Sequence, residues 1–219
     1  MSKALLQLLV KYRTEQNLLV STKQNLWRKQ VITWLEYNVS SHRINHILGV
    51  EATCIHLAKC HQLPEKKAAK AGLLHDLAKF FPPDRLLRIA RKANIEIDEI
   101  SQQHPHLLHA DVSAVVAQQE FGVKSTKILD AIKNHTLGNP EMSSLSCIVY
   151  LADKIEPNRG NTNELNRLRE IATDNLYQGV WETSDYTLQY LVSDRKLIHP
   201  RTVLTRNWAL RKVKKTASL

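Results

Sequence analysis

The sequence predicts an all-α fold, a helical bundle that carries polar groups in its core. Apolar residues recur at helical spacing in nearly every segment, and no stretch alternates convincingly at strand period. Only 6 Gly and 7 Pro punctuate the 219 residues, and 43% are hydrophobic, enough for one packed core.

Taken in order, Leu5, Leu6, Leu8, Leu9 and Val10 form a first apolar stripe. Val31, Ile32, Trp34 and Leu35 form a second. A third helix starts near Ser40–Ser41, residues suited to capping, and carries Ile47, Leu48, Val50, Ile55 and Leu57. Pro64 and Glu65 open a helix that runs toward Lys79. Phe81-Pro82-Pro83 breaks the chain, and Pro83-Asp84 starts the next helix through Ile89. The periodicity fades from Ala93 to His106, which predicts a loop or a short irregular segment. A helix through Val112 and Val116 ends at Gly122, a natural left-handed cap. Ser125 opens a helix that ends near His135, and Gly138-Asn139-Pro140 is a turn. Ser143 or Ser144 caps a helix stopped by Pro157, and long helices fill 162–197 and about 200–213.

The three cysteines are odd in number and lack CxxC spacing, which fits a reducing cytoplasm rather than a disulfide framework. No apolar run approaches the roughly 18 residues of a membrane span, and Met1–Val20, interrupted by charges, does not read as a signal peptide. A net charge of +10 points to polyanionic ligands. Part of it lies in Arg206, Arg211, Lys212, Lys214 and Lys215, read as a solvated helix end. No recognisable RNA motif accompanies the charge, so nucleic-acid binding is not expected. The four tryptophans read as core anchors.

The ten histidines are placed unevenly. His75-Asp76 ends an apolar stretch from Ala68 to Leu74, where an unpaired carboxylate would be costly. His46, His109, His135 and Asp153 also stand where the helical pattern calls for an apolar residue. Several helices each turning an imidazole or carboxylate inward is how metal sites in bundle cores are built. Such ligands, without thiolate, suit iron, manganese or zinc alike. The residues alone leave two choices open: His42 shares a helix face with His46, and His106 competes with His109 in the same way.

These blocks, in this order, resemble the HD superfamily of metal phosphohydrolases, and within it the symmetrical bis(5'-nucleosyl)-tetraphosphatases. The likeness rests on Arg43-Ile44-Asn45-His46 with Gly49-Val50, Gly72-Leu73-Leu74-His75-Asp76-Leu77-Ala78-Lys79 and Pro105-His106-Leu107-Leu108-His109-Ala110. It continues through Ile132-Lys133-Asn134-His135-Thr136-Leu137-Gly138 and the run from Tyr150 to Arg159. It covers roughly residues 29–190, and divides the chain into an N-terminal helical extension (1–28), a hydrolase domain (29–197) and a C-terminal helix with a basic tail (198–219).

The resemblance implies that His46, His75, Asp76 and Asp153 hold one metal. Asp76 would bridge to a second, which also takes His109 and His135. It implies two divalent or mixed-valence ions, iron before manganese or zinc, and a homodimer. It also implies cleavage of diadenosine tetraphosphate and related dinucleotides to two nucleoside diphosphates by a metal-bound hydroxide. Asp76 and Lys79 are the candidate catalytic residues, and Arg43, Lys79, Thr136, Gly138, Asn158 and Arg159 the candidate substrate contacts. The competing readings are an HD hydrolase for another nucleotide, an RNA-binding module, and a membrane-associated chain held by its Leu-rich first helix.

Overall fold

The structure is a computed structural model, and it describes residues 25–217. The Leu5–Val10 stripe lies outside the described residues, as does most of the proposed extension. The chain divides into two compact units, Met1–Asn38 and Val39–Leu219. In the first, helix α1 is described over 25–38, with Val31 and Leu35, one turn apart, fully buried.

The second unit is helical from end to end among the described residues. Its helices are α2 (Ser41–Cys60), α3 (Glu65–Leu74), α4 (Pro83–Lys92), α5 (Glu99–Gln103) and α6 (His109–Phe121). They continue with α7 (Thr126–Asn134), α8 (Ser144–Ile155), α9 (Asn163–Asp174), α10 (Leu176–Ser193) and α11 (Pro200–Ala217). Short 3₁₀ turns cover Pro105–Leu108 and Pro157–Arg159. Among the described residues no helix is long and apolar enough to cross a membrane.

Helix α8 is the axis of the core. Leu145 through Ala152 are all buried, together with Ile155, because this helix is apolar on every side. It packs against α2, α3, α7, α9 and α10. Each fully buried Leu or Ile there contributes about 1.5–3 kcal/mol. The end of α8 carries orphan carbonyls. Arg169 of α9 satisfies them, with Nε donating to the Ile155 carbonyl and Nη2 to those of Glu156 and Gly160. The segment from Asp153 to Arg159 is thereby fixed in place.

Helix α11 does the same for the end of α7. Arg201 donates to the carbonyls of Gly138 and Lys133, and Thr205 Oγ1 to that of Leu137. The C-terminal helix therefore belongs to the same unit as the histidine-bearing helices. The basic residues read as a solvated end are partly engaged: Arg206 forms a forked pair with Asp185, and Lys212 pairs with Glu141.

Two expectations are corrected. The helix opened by Pro64 stops at Leu74, and residues 75–80 run in turns instead of reaching Lys79 as helix. The Ala78 N–H donates to Ser113 Oγ of α6, which takes it out of the helical ladder. The segment 93–106, expected as a loop or short irregular segment, contains the five-residue α5, which Asp98 caps by accepting from the Ser101 N–H, a local signal that the faded periodicity hid. Elsewhere Ser40 and Ser143 cap α2 and α8 as expected, and Gly122 ends α6 at φ +63°. The stretch 162–197 is broken at Asn175, whose side chain accepts from Tyr177 and Gln178 N–H to start α10.

Candidate metal centre

Close helix approach assembles the cluster. At Gly72, in the last turn of α3, a Cβ would stand 3.0 Å from Cys54 Sγ and 3.1 Å from Glu51 Cα, so α3 lies tight on α2. This brings His75 and Asp76 from the end of α3 up to His46 on α2. His109 starts α6, His135 ends α7, and Asp153 sits in the last turn of α8. His46, His75, Asp76, His109 and His135 are all buried.

The imidazoles are held in one tautomer. Nδ1–H of His75 donates to the Gly72 carbonyl at 2.7 Å, that of His109 to His106, and that of His135 to Ile132 at 2.7 Å. Nδ1–H of His46 donates to Glu156 Oε1 at 2.9 Å. With Nδ1 carrying the proton, each Nε2 turns a lone pair inward, the arrangement of a metal-ligating histidine. His109 Nε2 and His135 Nε2 are 3.1 Å apart, and Asp76 Oδ1 lies 3.3 and 3.4 Å from them. On the other side, His46 Nε2 is 3.1 Å from Asp153 Oδ1 and 4.0 Å from Asp76 Oδ2, and His75 Nε2 is 3.5 Å from Asp76 Oδ2.

So many converging acceptors repel one another unless a cation lies among them. Among the described residues, His75 Nε2 and Asp76 Oδ1 are buried without a hydrogen-bond partner. Two ligands about 2.1 Å from one ion lie roughly 3.0–3.4 Å from each other at octahedral to tetrahedral angles, which matches the Asp76/His109/His135 separations and the His46–Asp153 pair, while His75 and His46 stand slightly wider from Asp76. Among the described residues two groups meet the requirement, His46/His75/Asp76 and Asp76/His109/His135, and both use Asp76. The donor set fits divalent metal ions.

Burial works to raise the Asp76 pKa, but the charge of His75 and the imidazoles of His109 and His135 hold it well below 3.8. Asp153 is also held well below its ordinary value, against its burial, chiefly by Lys154 and His46. Depressed carboxylates contribute stability that is complete above the ordinary value and lost as pH falls through the depressed one. His135 is pushed down to about 4 by burial, with the charges of His75 and His109 adding to the effect. His75 moves the other way: burial lowers its pKa, but the nearby charges of Asp76 and Asp153 more than offset this and raise it above 6.5.

These opposite shifts predict the pH dependence of metal uptake. A divalent ion must displace the His75 proton, whereas His135 has already lost its own. Affinity for Mn²⁺ at the His46/His75/Asp76 subsite should rise with pH up to the raised His75 value, with release of the His75 proton, and level off above it. Calorimetric titration in buffers of different ionisation enthalpy counts the protons; an affinity flat between about pH 6 and 7 would contradict this assignment.

Four cations surround the cluster. Arg43 Nη1 donates to Asp76 Oδ2 at 3.0 Å, and Arg159 Nη2 to Asp153 Oδ1 at 2.8 Å. Lys79 Nζ lies 3.3 Å from His109 Nε2. Lys154 Nζ donates to the His135 carbonyl at 2.8 Å, while the ammonium sits 4.0 Å over the Tyr150 ring. Thr136 Oγ1 lies 3.1 and 3.0 Å from His109 and His135 Nε2.

Burial separates the rival histidines: His42 and His106 are exposed where His46 and His109 are buried. Gly138 packs against α11. It has φ +69°, and a Cβ there would stand 2.4 Å from Thr205 Cγ2, so the geometry gives it a turn-and-packing role against α11. Asn158 reaches the cluster only through Glu156 and the Asn45 carbonyl. Sequence reasoning passed over Lys154 and the fully buried Glu156 as members of the site. No local pattern marks Glu156, because the partners that bury it, His46 and Gly49, lie on α2.

The HD-domain family profile matches residues 43–158. A symmetrical bis(5'-nucleosyl)-tetraphosphatase from Bacillus subtilis is 34% identical over 83% of this chain and 96% of its own length. One from Halalkalibacterium halodurans is 32% identical over 84% and 97%. The crystal structure of a protein from Clostridium acetobutylicum, described as a predicted HD superfamily hydrolase involved in NAD metabolism, superposes with a TM-score of 0.80. The two are 30% identical, with 84% of this chain and 97% of the other covered. The paired His/Asp clusters agree with these likenesses, and the chain belongs to the HD-domain family of hydrolases, alongside the symmetrical bis(5'-nucleosyl)-tetraphosphatases.

Proposed function

We propose that this chain hydrolyses bis(5'-nucleosyl) tetraphosphates, diadenosine tetraphosphate foremost, symmetrically to two nucleoside diphosphates. The observation that carries the reading is one buried carboxylate, Asp76, shared by two histidine clusters within reach of the cations Arg43 and Lys79. The relatives' activity, as their names give it, supplies the substrate class. His46, His75, Asp76 and Asp153 would hold one ion, and Asp76, His109 and His135 the other. Iron is the metal put forward, with manganese and zinc as alternatives, in a cytoplasmic homodimer. When bound, such a pair supplies a water acidic enough to ionise near neutral pH and neutralises charge on the non-bridging oxygens of the phosphoryl group.

The protein's own groups do the rest. Arg43 and Arg159 each present a guanidinium fork that can turn from a carboxylate to a phosphate oxygen, a match Arg makes in two parallel hydrogen bonds. Lys79 faces the His109 side and meets charge there as a point cation. Thr136 offers a hydroxyl beside the same two histidines. Burial of the cluster excludes bulk water and strengthens each of these interactions.

The test is product identification. Metal-loaded protein incubated with diadenosine tetraphosphate should yield ADP alone. AMP plus ATP would reject symmetrical cleavage, and no turnover would reject the substrate class. A second reading is a hydrolase for another nucleotide, favoured by the NAD-related description of the Clostridium acetobutylicum protein; faster release of phosphate from a mononucleotide panel would select it.

A further inference from the structure

Three of the four inward histidines are oriented by their own backbone. His75, His109 and His135 each donate Nδ1–H to the carbonyl three residues earlier. They stand at helix ends, where carbonyls of the adjoining turn have spare acceptor capacity. His46 differs because it lies inside the 20-residue helix α2, whose carbonyls are engaged in the ladder. Its Nδ1–H is accepted by a side chain, Glu156, 110 residues away in sequence.

Glu156 is itself tightly held. It is 0% exposed, and it stands just beyond α8 in extended backbone at φ −56°, ψ 153°. Its Oε2 accepts from the Asn158 N–H at 2.7 Å and from Asn158 Nδ2 at 2.9 Å. Asn158 Nδ2 also reaches the Asn45 carbonyl on α2. The carboxylate lies over Gly49, where a Cβ would come within 2.3 Å of Oε2, so glycine there keeps the space open.

The consequence is asymmetry between the two clusters. The His46 side combines Asp76 and Asp153 with an imidazole backed by a third carboxylate. The His135 side has Asp76, histidines backed by neutral carbonyls, and Lys79 close by. A carboxylate behind a ligating imidazole fixes the ring and raises its basicity.

We propose that Glu156 is a positioning residue that acts through His46 and sets the cation affinity of the His46/His75/Asp76 subsite alone, making it the tighter of the two. The inference rests on the reading that the cluster holds two divalent cations, and it is decided by cation binding without reference to any substrate.

The experiment titrates the metal-stripped full chain with Mn²⁺ and follows the free ion by electron paramagnetic resonance. The native protein should bind two equivalents, one tighter than the other. In Glu156→Gln the tighter equivalent should weaken about 10–100-fold, the range for losing an outer partner of a ligating histidine, and the other should not move. In a His46→Ala background the Glu156→Gln change should have no further effect, since the two then share one pathway. Unchanged affinities, equal weakening of both equivalents, or an undiminished effect without His46 each overturn the proposal.

If Glu156→Gln does not fold, as judged by circular dichroism, Asn158→Ala takes its place. That variant keeps the carboxylate and removes one of its donors, so the same equivalent should weaken several-fold. Failure to weaken it overturns the proposal equally. A native protein that binds no Mn²⁺ removes the cation reading and this inference together. One that binds two equivalents without cleaving the dinucleotide removes only the substrate reading.

Discussion

Asp76→Ala is expected to empty both metal subsites and to lower kcat/KM by at least about 10³-fold, the upper range for loss of one preorganised electrostatic group. The expectation follows from sharing. Every other candidate ligand serves one cluster, whereas Asp76 lies 3.3 and 3.4 Å from His109 and His135 through Oδ1 and faces His46 and His75 through Oδ2. Removing the carboxylate also leaves His75 and Arg43 without their principal counter-charge. In the metal-free protein, breaking such a buried pair costs about 3–5 kcal/mol. Asp76→Asn separates the two consequences, because the amide keeps the shape and loses the charge. It should melt closer to the native protein and still hold almost no metal. The measurement is metal content by plasma emission, about two equivalents in the native protein and near zero in both variants. Native-like content in either variant would remove Asp76 from the role of shared ligand.

What could be read from the sequence was whatever broke a pattern. His46, His75 and Asp153 were visible because each interrupts an apolar helical stripe, and that interruption has a physical cause in the cost of burying an unpaired polar group. Choosing His46 over His42 was beyond periodicity, since both lie on one helix face, and needed the family likeness. The structure separates them by burial. Glu156 could not be read in this way. A glutamate at a helix end before a proline looks like any solvated residue, and its burial depends on His46 and Gly49 of the distant helix α2. Lys154 was hidden for the same reason: a lysine beside an aspartate looks like a surface pair, yet this one donates to the His135 carbonyl with its ammonium over the Tyr150 ring. The early end of α3 also has a tertiary cause, the Ser113 hydroxyl of α6. Local chemistry placed the helices and most caps and orients His75, His109 and His135, whereas a long-range hydrogen bond to Glu156 supports His46.

Lys79→Met should lower kcat about 10²–10³-fold while sparing metal content and melting temperature. Methionine keeps most of the apolar stem, and the contact it removes is that of the partly exposed ammonium with His109 Nε2. The direction on metal affinity follows from Coulomb's law. An ammonium 3.3 Å from His109 Nε2 repels a cation at the Asp76/His109/His135 subsite, so its removal should tighten that subsite or leave it unchanged. A role in metal retention would give the opposite sign. The split between kcat and KM then locates the charge that Lys79 meets. If Nζ neutralises a phosphate oxygen equally in ground and transition states, KM rises and kcat holds. If it meets charge that grows as the bond to the leaving phosphate breaks, kcat falls and KM changes little. Its place beside the histidines, rather than at the rim with Arg159, favours the second outcome. A kcat within about threefold of native, with metal fully bound, would exclude Lys79 from the chemical step.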